Sequence, residues 1–273
     1  MSSRRLWRHV TFTLGVLLTL ALITVAVVSL AWTPTDPLAM SIVARLQAPS
    51  SSHPFGTDQY GRDVLARVMA GARTSITVGV IAVAIGAVAG VLLGIVSGYA
   101  GGWSDEILMR MSDAIQGFPA ILAALLFTAV FGPGVAMSMV AIGIAFVPAF
   151  ARLARSSVLE LRGRDFVVAA LALGAGDRRV LFRHILPNTL APLIVQATTS
   201  FPVAVLAEAG LAYLGLGTQP PQPSWGSMLK DAQNFLTLSP SFALFPGGAI
   251  ALTVLGLNLL GDGLRDLLDP KAG

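Results

Sequence analysis

Few side chains in this sequence are of a type that does chemistry, and their spacing narrows the chemistry further. His9, His53 and His184 stand far apart with no H-x-x-x-H pair, and cysteine is absent, so thiol nucleophiles and disulfides are excluded and no metal ligand is assigned. Neither Lys230 nor Lys271 follows the glycines of a phosphate loop or precedes Ser or Thr, so the chain holds no G-x-x-x-x-G-K-[ST] and any ATP hydrolysis is supplied in trans. No catalytic residue emerges. One carboxylate stands out: Glu208 sits alone among apolar residues in "LAEAGLAYLGLG". An ionisable group in such a run lines a pathway, gates it, or pairs with a partner.

The elements that must position these residues are membrane helices. The chain of 273 residues is 55% hydrophobic and 12% charged with mean hydropathy +0.76, whereas soluble domains carry about a quarter charged residues. A formal charge of +4 and a pI near 10.1 would suit nucleic acid, but 16 of the 18 basic residues are Arg set beside apolar runs. That pattern marks topology, so the expected surrounding is lipid and not nucleic acid.

Residues 10–32 are uncharged and long enough, at about 1.5 Å per residue, to cross a hydrocarbon core of about 30 Å. They exceed the core of a signal peptide, and "SLAWTP" offers no small-x-small cleavage site, so they are read as a retained first span after a tail over 1–9. A polar loop follows over 33–74, where Asp58 is placed to cap a short helix through Arg67 and Gly71 to end it. The second span covers 75–99, and its Gly86, Gly90 and Gly94 form a small-xxx-small packing face. After a charged loop over 100–113, the uncharged stretch 114–151 is too long for one span, and "FGPG" turns it into a hairpin of spans 114–131 and 135–155. A loop over 156–188, a span over 189–216, a loop over 217–238, a span over 239–261 and a tail over 262–273 complete the chain. The expected fold is all-α integral membrane with six transmembrane helices and a core over 70–265. Charge orients it. Residues 152–184 carry seven Arg against three acids, while 218–238 hold only Lys230 and Asp231, which places 156–188 and both termini in the cytoplasm. The 33–74 loop, with four Arg against three Asp, is a weaker signal that Arg4, Arg5 and Arg8 outvote.

Within that basic segment Phe166, Val167, Ala169, Ala170 and Leu173 form a short apolar helical face, and Gly174, Ala175 and Gly176 break it. Asp177 is placed to cap a second short helix, with Val180, Leu181 and Ile185 on one side and Arg178, Arg179 and Arg183 elsewhere; Pro187 ends it. A helix–turn–helix of this kind anchors on a lipid surface or serves as a handle for another protein, and charge alone leaves a plain positive-inside anchor open.

Five blocks in order carry a resemblance along nearly the whole chain: "HPFGTDQYGRDVLARV" at 53–68, "GYAGGWSDEILMRMSD" at 98–113, "FRHILPN" at 182–188, "YLGLGTQPPQPSWGSML" at 213–229 and "LGDGLRDLLDP" at 260–270. Together they resemble the C-type permease subunit of the dipeptide/oligopeptide/nickel family of bacterial ABC importers. The resemblance implies a type I ABC importer permease fold in the cytoplasmic (inner) membrane. It also implies import of peptides, or of nickel or another small solute, with no cofactor bound by this chain. Implied partners are a homologous B-type permease forming a heterodimer, two ATPase subunits carrying ATP and Mg, and an external substrate-binding protein. The small residues Ala169 and Ala170, then Gly174, Ala175, Gly176, and the stretch Asp177, Arg178, Arg179, Phe182, Arg183, Ile185, Leu186, Pro187 match the loop whose coupling helix docks on the ATPase. One position departs: the family's glutamate aligns with Val168, so docking rests on shape, apolar contact and the nearby Arg side chains. Asp165, three residues earlier, projects from a neighbouring place on the helix and not the same one.

Other polar residues have two readings each. Gln196, Thr198, Thr199 and Ser200, with Gln116 and Asn258, line a translocation path or hydrogen-bond between helices. Tyr60, Arg62 and Asp63, and Trp225 in "PPQPSWG", fall where the resemblance suggests contact with the binding protein; the alternative is a loop capped onto the second span. Glu208, counted from Thr189, comes near the outer interface and half-solvated. Two other classes compete. A proton-coupled secondary transporter or channel calls for inverted repeats and buried ionisable residues, of which only Glu208 is a candidate. A membrane scaffold has no need of both the "PPQPSWG" loop and the basic segment.

Overall fold

The computed structural model describes residues 3–268, with side chains over 10–267 except that of Ala120. Arg4, Arg5, Arg8, His9 and Lys271, on which the tail readings rest, lie outside the described side chains. Among the described residues the regular elements are helices: α1 (Ser3–Ala31), α2 (Val64–Ala100), α3 (Gly102–Gly117), α4 (Ala120–Phe131), α5 (Val135–Leu161), α6 (Asp165–Ala172), α7 (Asp177–Val180), α8 (Leu186–Tyr213), α9 (Trp225–Ala232) and α10 (Ser241–Leu268). Five stretches are long and apolar enough to cross a membrane: Val10–Ala31, Val64–Ala100, Val135–Leu161, Asp177–Tyr213 and Ser241–Leu267. A sixth is the pair α3 and α4, bent by 90°.

That bend replaces the straight third span expected over 114–131. Phe118 precedes Pro119 and is extended at φ −90°, ψ 132°, because the proline ring disfavours helical backbone at the residue before it. The charged stretch read as a loop over 100–113 is the amphipathic α3, tied along one side by Arg110 to Glu106. The 12 residues of α4 reach about 18 Å, little more than half a hydrocarbon core.

Helix α2 also begins later and runs further than a short capped helix would. Asp63, not Asp58, is its N-cap and accepts the Ala66 N–H at 2.8 Å, and the helix continues for 37 residues. Gly71 does not end it. A Cβ there would meet the Trp225 indole at 2.9 Å, so the missing side chain makes room for Trp225, whose Nε1 donates to the Val68 carbonyl at 3.0 Å.

The centre of the bundle is the α2–α5 seam. A Cβ on Gly86 would lie 2.5 Å from Phe146 Cβ, one on Gly90 2.6 Å from Phe150 Cβ, and one on Gly94 against the Ala151 carbonyl. Gly143 reciprocates from α5, 2.7 Å from Ile85 Cβ. Repetition every fourth residue keeps these positions on one stripe, and the two backbones close along it. Helices α1 and α10 approach in the same way through Gly256, whose Cβ would lie 2.7 Å from Leu18 Cβ.

One end of the bundle is built by the 33–63 and 214–240 segments. Phe55 stacks on Phe245 at 3.8 Å, Gly134 N–H donates to the Leu216 carbonyl at 3.1 Å, and a Ser224–Ser227 capping box starts α9. The opposite end gathers the end of α2, the start of α3, the end of α5, and α6 with α7.

Candidate functional site

Helix α6 buries one side chain, Val167, and leaves Phe166, Val168, Leu171 and Leu173 exposed. The short apolar face of α6 is therefore mostly uncovered in this chain, Ala169 with it and Ala170 half-buried. The helix closes in a Schellman turn: Ala175 N–H donates to Ala170 O at 3.0 Å, and Gly174 N–H to Leu171 O at 2.9 Å. Gly174 takes φ +82°, which favours glycine, while Gly176 has φ −71° and forms the N-cap of α7.

Asp177 is not that cap. It occupies the first turn of α7, where a negative charge suits the helix dipole, and its Oδ1 accepts the Tyr99 hydroxyl from α2 at 2.7 Å. Val180 and Ile185 are fully buried with Val158 and Val167, and Leu181 and Tyr99 pack against them. Arg178, Arg179, Arg183 and Phe182 are exposed, His184 and Leu186 half-buried. Pro187 does not end the segment. It sits in the first turn of α8, where a missing N–H costs no helical bond, and a π-turn over Leu181–Ile185 carries α7 into α8. Helix α7, the π-turn and α8 thereby form one helical run over Asp177–Tyr213.

At the same end lies a cluster that sequence reasoning missed. Arg155 grips Asp105 through Nε at 2.5 Å and Nη2 at 2.6 Å, and Asp105 also accepts the Ser97 hydroxyl. Arg162 Nη1 donates to the Gly98 carbonyl at 3.3 Å. The available signal was the charged 98–113 block beside a run of arginines, but no local pattern pairs them.

Glu208 is fully buried, not half-solvated. Its Oε1 accepts the Thr218 hydroxyl at 3.3 Å and its Oε2 the Ser75 hydroxyl at 3.5 Å. It thereby links α8, α2 and the segment before α9. Gln196 donates to the Ser200 hydroxyl at 3.1 Å, and Thr199 back-bonds to Val195 O and Gln196 O. Those contacts stay within α8, and Asn258 is exposed on α10. An open apolar cavity of about 380 Å³ lies at the α3–α4 bend against α5, with Gln116, Phe118 and Phe127 in its wall. A wider one of about 580 Å³ lies between α8 and α10. Neither is lined by Glu208, Gln196, Thr199 or Asn258.

Of the four residues expected to meet a binding protein, only Tyr60 is exposed, at 49%. Arg62, Asp63 and Trp225 are buried and shape that end from within. Asp58 accepts the backbone N–H groups of Tyr60 and Arg62 and the Arg62 Nε at 2.5 Å, while Arg62 also stacks over Tyr60 and reaches toward Asp231. Two adjacent charges look like surface in a sequence; here each has a partner that brings it inside.

Comparison with known proteins follows the same lines. The model of a family described as the binding-protein-dependent transport system inner membrane component matches residues 90–273. A dipeptide transport system permease protein of Alkalihalophilus pseudofirmus is 49% identical over 83% of this chain and 75% of its own length. A glutathione transport system permease protein of Escherichia coli is 46% identical over 82% of this chain and 74% of its own. A solved chain of the MetNI methionine ABC transporter in inward-facing conformations shares the fold, with a TM-score of 0.56 at 17% identity over 76% of this chain and 96% of that one. The exposed helical segment, the apolar spans and these likenesses agree: the chain belongs to the family of inner-membrane components of binding-protein-dependent transport systems.

Proposed function

We propose that this chain is one permease subunit of an ATP-driven importer of peptides. It acts with a homologous B-type permease, two ATPase subunits that hold ATP and Mg, and a substrate-binding protein outside. The observation that carries the reading is α6, an eight-residue helix with Phe166, Val168, Leu171 and Leu173 exposed beside the basic α7. Such a surface fits a groove on an ATPase, and with Val168 in place of a glutamate its docking is apolar and steric. The arginine bias puts this end and both termini in the cytoplasm. The Tyr60 end then faces the binding protein. The named dipeptide and glutathione relatives support a peptide cargo.

Closure of the ATPase subunits would displace α6 and α7, and the continuous run Asp177–Tyr213 would carry that displacement into the membrane. Populations shift only if contacts differ between the two states, and the exposed apolar face of α6 is the contact able to differ. The turn between α6 and α7 must then hold its shape under load. A Cβ at Gly174 meets no atom within 4 Å, so Gly174→Ala acts through its φ of +82°, at a cost of about 1 kcal/mol. In proteoliposomes with ATP and peptide-loaded binding protein, Gly174→Ala is expected to lower stimulated hydrolysis and import about fivefold. Gly117→Ala, equally open, at an ordinary φ and outside this segment, leaves both unchanged. Wild-type rates in Gly174→Ala would remove the turn from the coupling path.

A further inference from the structure

We infer that Ser97, Gly98 and Tyr99, the last full turn of α2, form the junction that passes displacement of the coupling segment to α3 and α5, with the Tyr99 hydroxyl as the positioning group on the coupling side. The inference rests on the importer reading above. Three successive residues are each tied to a different element. The Ser97 hydroxyl meets Asp105 of α3, which Arg155 of α5 holds through two nitrogens. The Gly98 carbonyl accepts Arg162 at the end of α5 at 3.3 Å. The Tyr99 hydroxyl donates to Asp177 of α7 at 2.7 Å.

The block "GYAGGWSD" gains a physical purpose from this arrangement. Gly98 lets α5 approach, since a Cβ there would be 3.0 Å from Arg155 O and Val158 Cβ. Gly101 and Gly102, at φ +65° and +55°, reverse the chain so that Asp105 returns to Ser97. From α7 the chain leads into α8 on one side and, through Gly174 and α6, into the end of α5 on the other; neither covalent route enters α2 or α3 directly. The direct route from α7 to α2 consists of the apolar cluster around Val180 and Ile185, whose contacts are non-directional, and the Tyr99–Asp177 bond, which is directional and charge-assisted. Tyr99→Phe removes that bond and keeps the ring in the cluster.

The test measures labelled glycyl-leucine imported per ATP hydrolysed by the complex copurified with this chain, in proteoliposomes, for wild type, Tyr99→Phe, Asp177→Ala, Asp177→Asn and the Tyr99→Phe/Asp177→Ala pair. The ratio is expected to fall about fivefold in Tyr99→Phe and Asp177→Ala. Tyr99→Phe keeps the yield of complex and its basal hydrolysis. Asp177→Asn, which retains an acceptor, keeps most of the ratio, and the double variant falls no further than either single one. A wild-type ratio in Tyr99→Phe, or additive losses in the double variant, would overturn the inference while leaving the importer reading intact. No import by the wild type would overturn both.

Discussion

Gly94→Leu is expected to leave little folded chain in the membrane. A Cβ at this position runs into the Ala151 carbonyl and lies 2.7 Å from Ala154 Cβ, and a backbone oxygen cannot turn aside as a side chain can. The helices must separate along a seam where Gly86 and Gly90 are nearly as tight. Between membrane helices, close packing is a main source of attraction, because lipid removes most of the hydrophobic drive. Overpacking of a well-fitted core costs about 1–3 kcal/mol, and more when backbone must shift; at about 3 kcal/mol the folded-to-unfolded ratio falls more than a hundredfold. Size-exclusion yield of a fluorescent fusion in detergent reads the effect. Gly117→Ala, where a Cβ meets nothing within 4 Å, is the matched control. Equal yields from the two variants would mean that the seam does not hold the bundle together.

Glu208→Leu is expected to be nearly as damaging, and Glu208→Gln mild. Glutamate 208 receives hydrogen bonds from Ser75 and Thr218, both buried. Leucine fills the space but leaves two hydroxyls without their acceptor, at about 1 kcal/mol or more each. The loss of about 2 kcal/mol corresponds to a thermal midpoint lower by about 5 °C. Glutamine keeps the size and a carbonyl oxygen, and the hydroxyls can rotate to meet its amide, so a change under about 1 kcal/mol is expected. Thermal unfolding followed by tryptophan fluorescence separates the two. A leucine variant as stable as wild type would show that Glu208 holds nothing together, and attention would return to a role in the path.

Much of this architecture is legible in sequence because hydropathy and helical spacing are local. Residues 10–32 read as a span from composition alone, and Gly86, Gly90 and Gly94 as a packing face from their period. What failed depends on distant partners. Gly71 looks like a helix stop until Trp225, far along the chain, is seen to fill the space beside it. Asp177 looks like a cap because caps are local, but its partner is Tyr99, 78 residues away. Pro187 looks like a terminator, although a proline in a first turn is a helix start whenever the preceding turn loosens to admit it. Arg62 and Asp63 look like surface because a charge has no visible partner in a linear string; Asp58, His53 and Asp231 supply them in three dimensions. The basic segment is visible in the sequence as arginines beside apolar runs, whereas its internal arrangement, an exposed α6 closed by a Schellman turn at Gly174 and an α7 continuous with α8, needs coordinates.

The most direct measurement is uptake of labelled glycyl-leucine by proteoliposomes holding the complex that copurifies with this chain, with its binding protein on the side of the Tyr60 loop. Accumulation that requires ATP and Mg on the side of α6, that needs the binding protein, and that persists when a protonophore collapses the pH gradient is the predicted result. Uptake that proceeds without ATP and disappears with the protonophore would contradict it, and would make the chain a proton-coupled carrier.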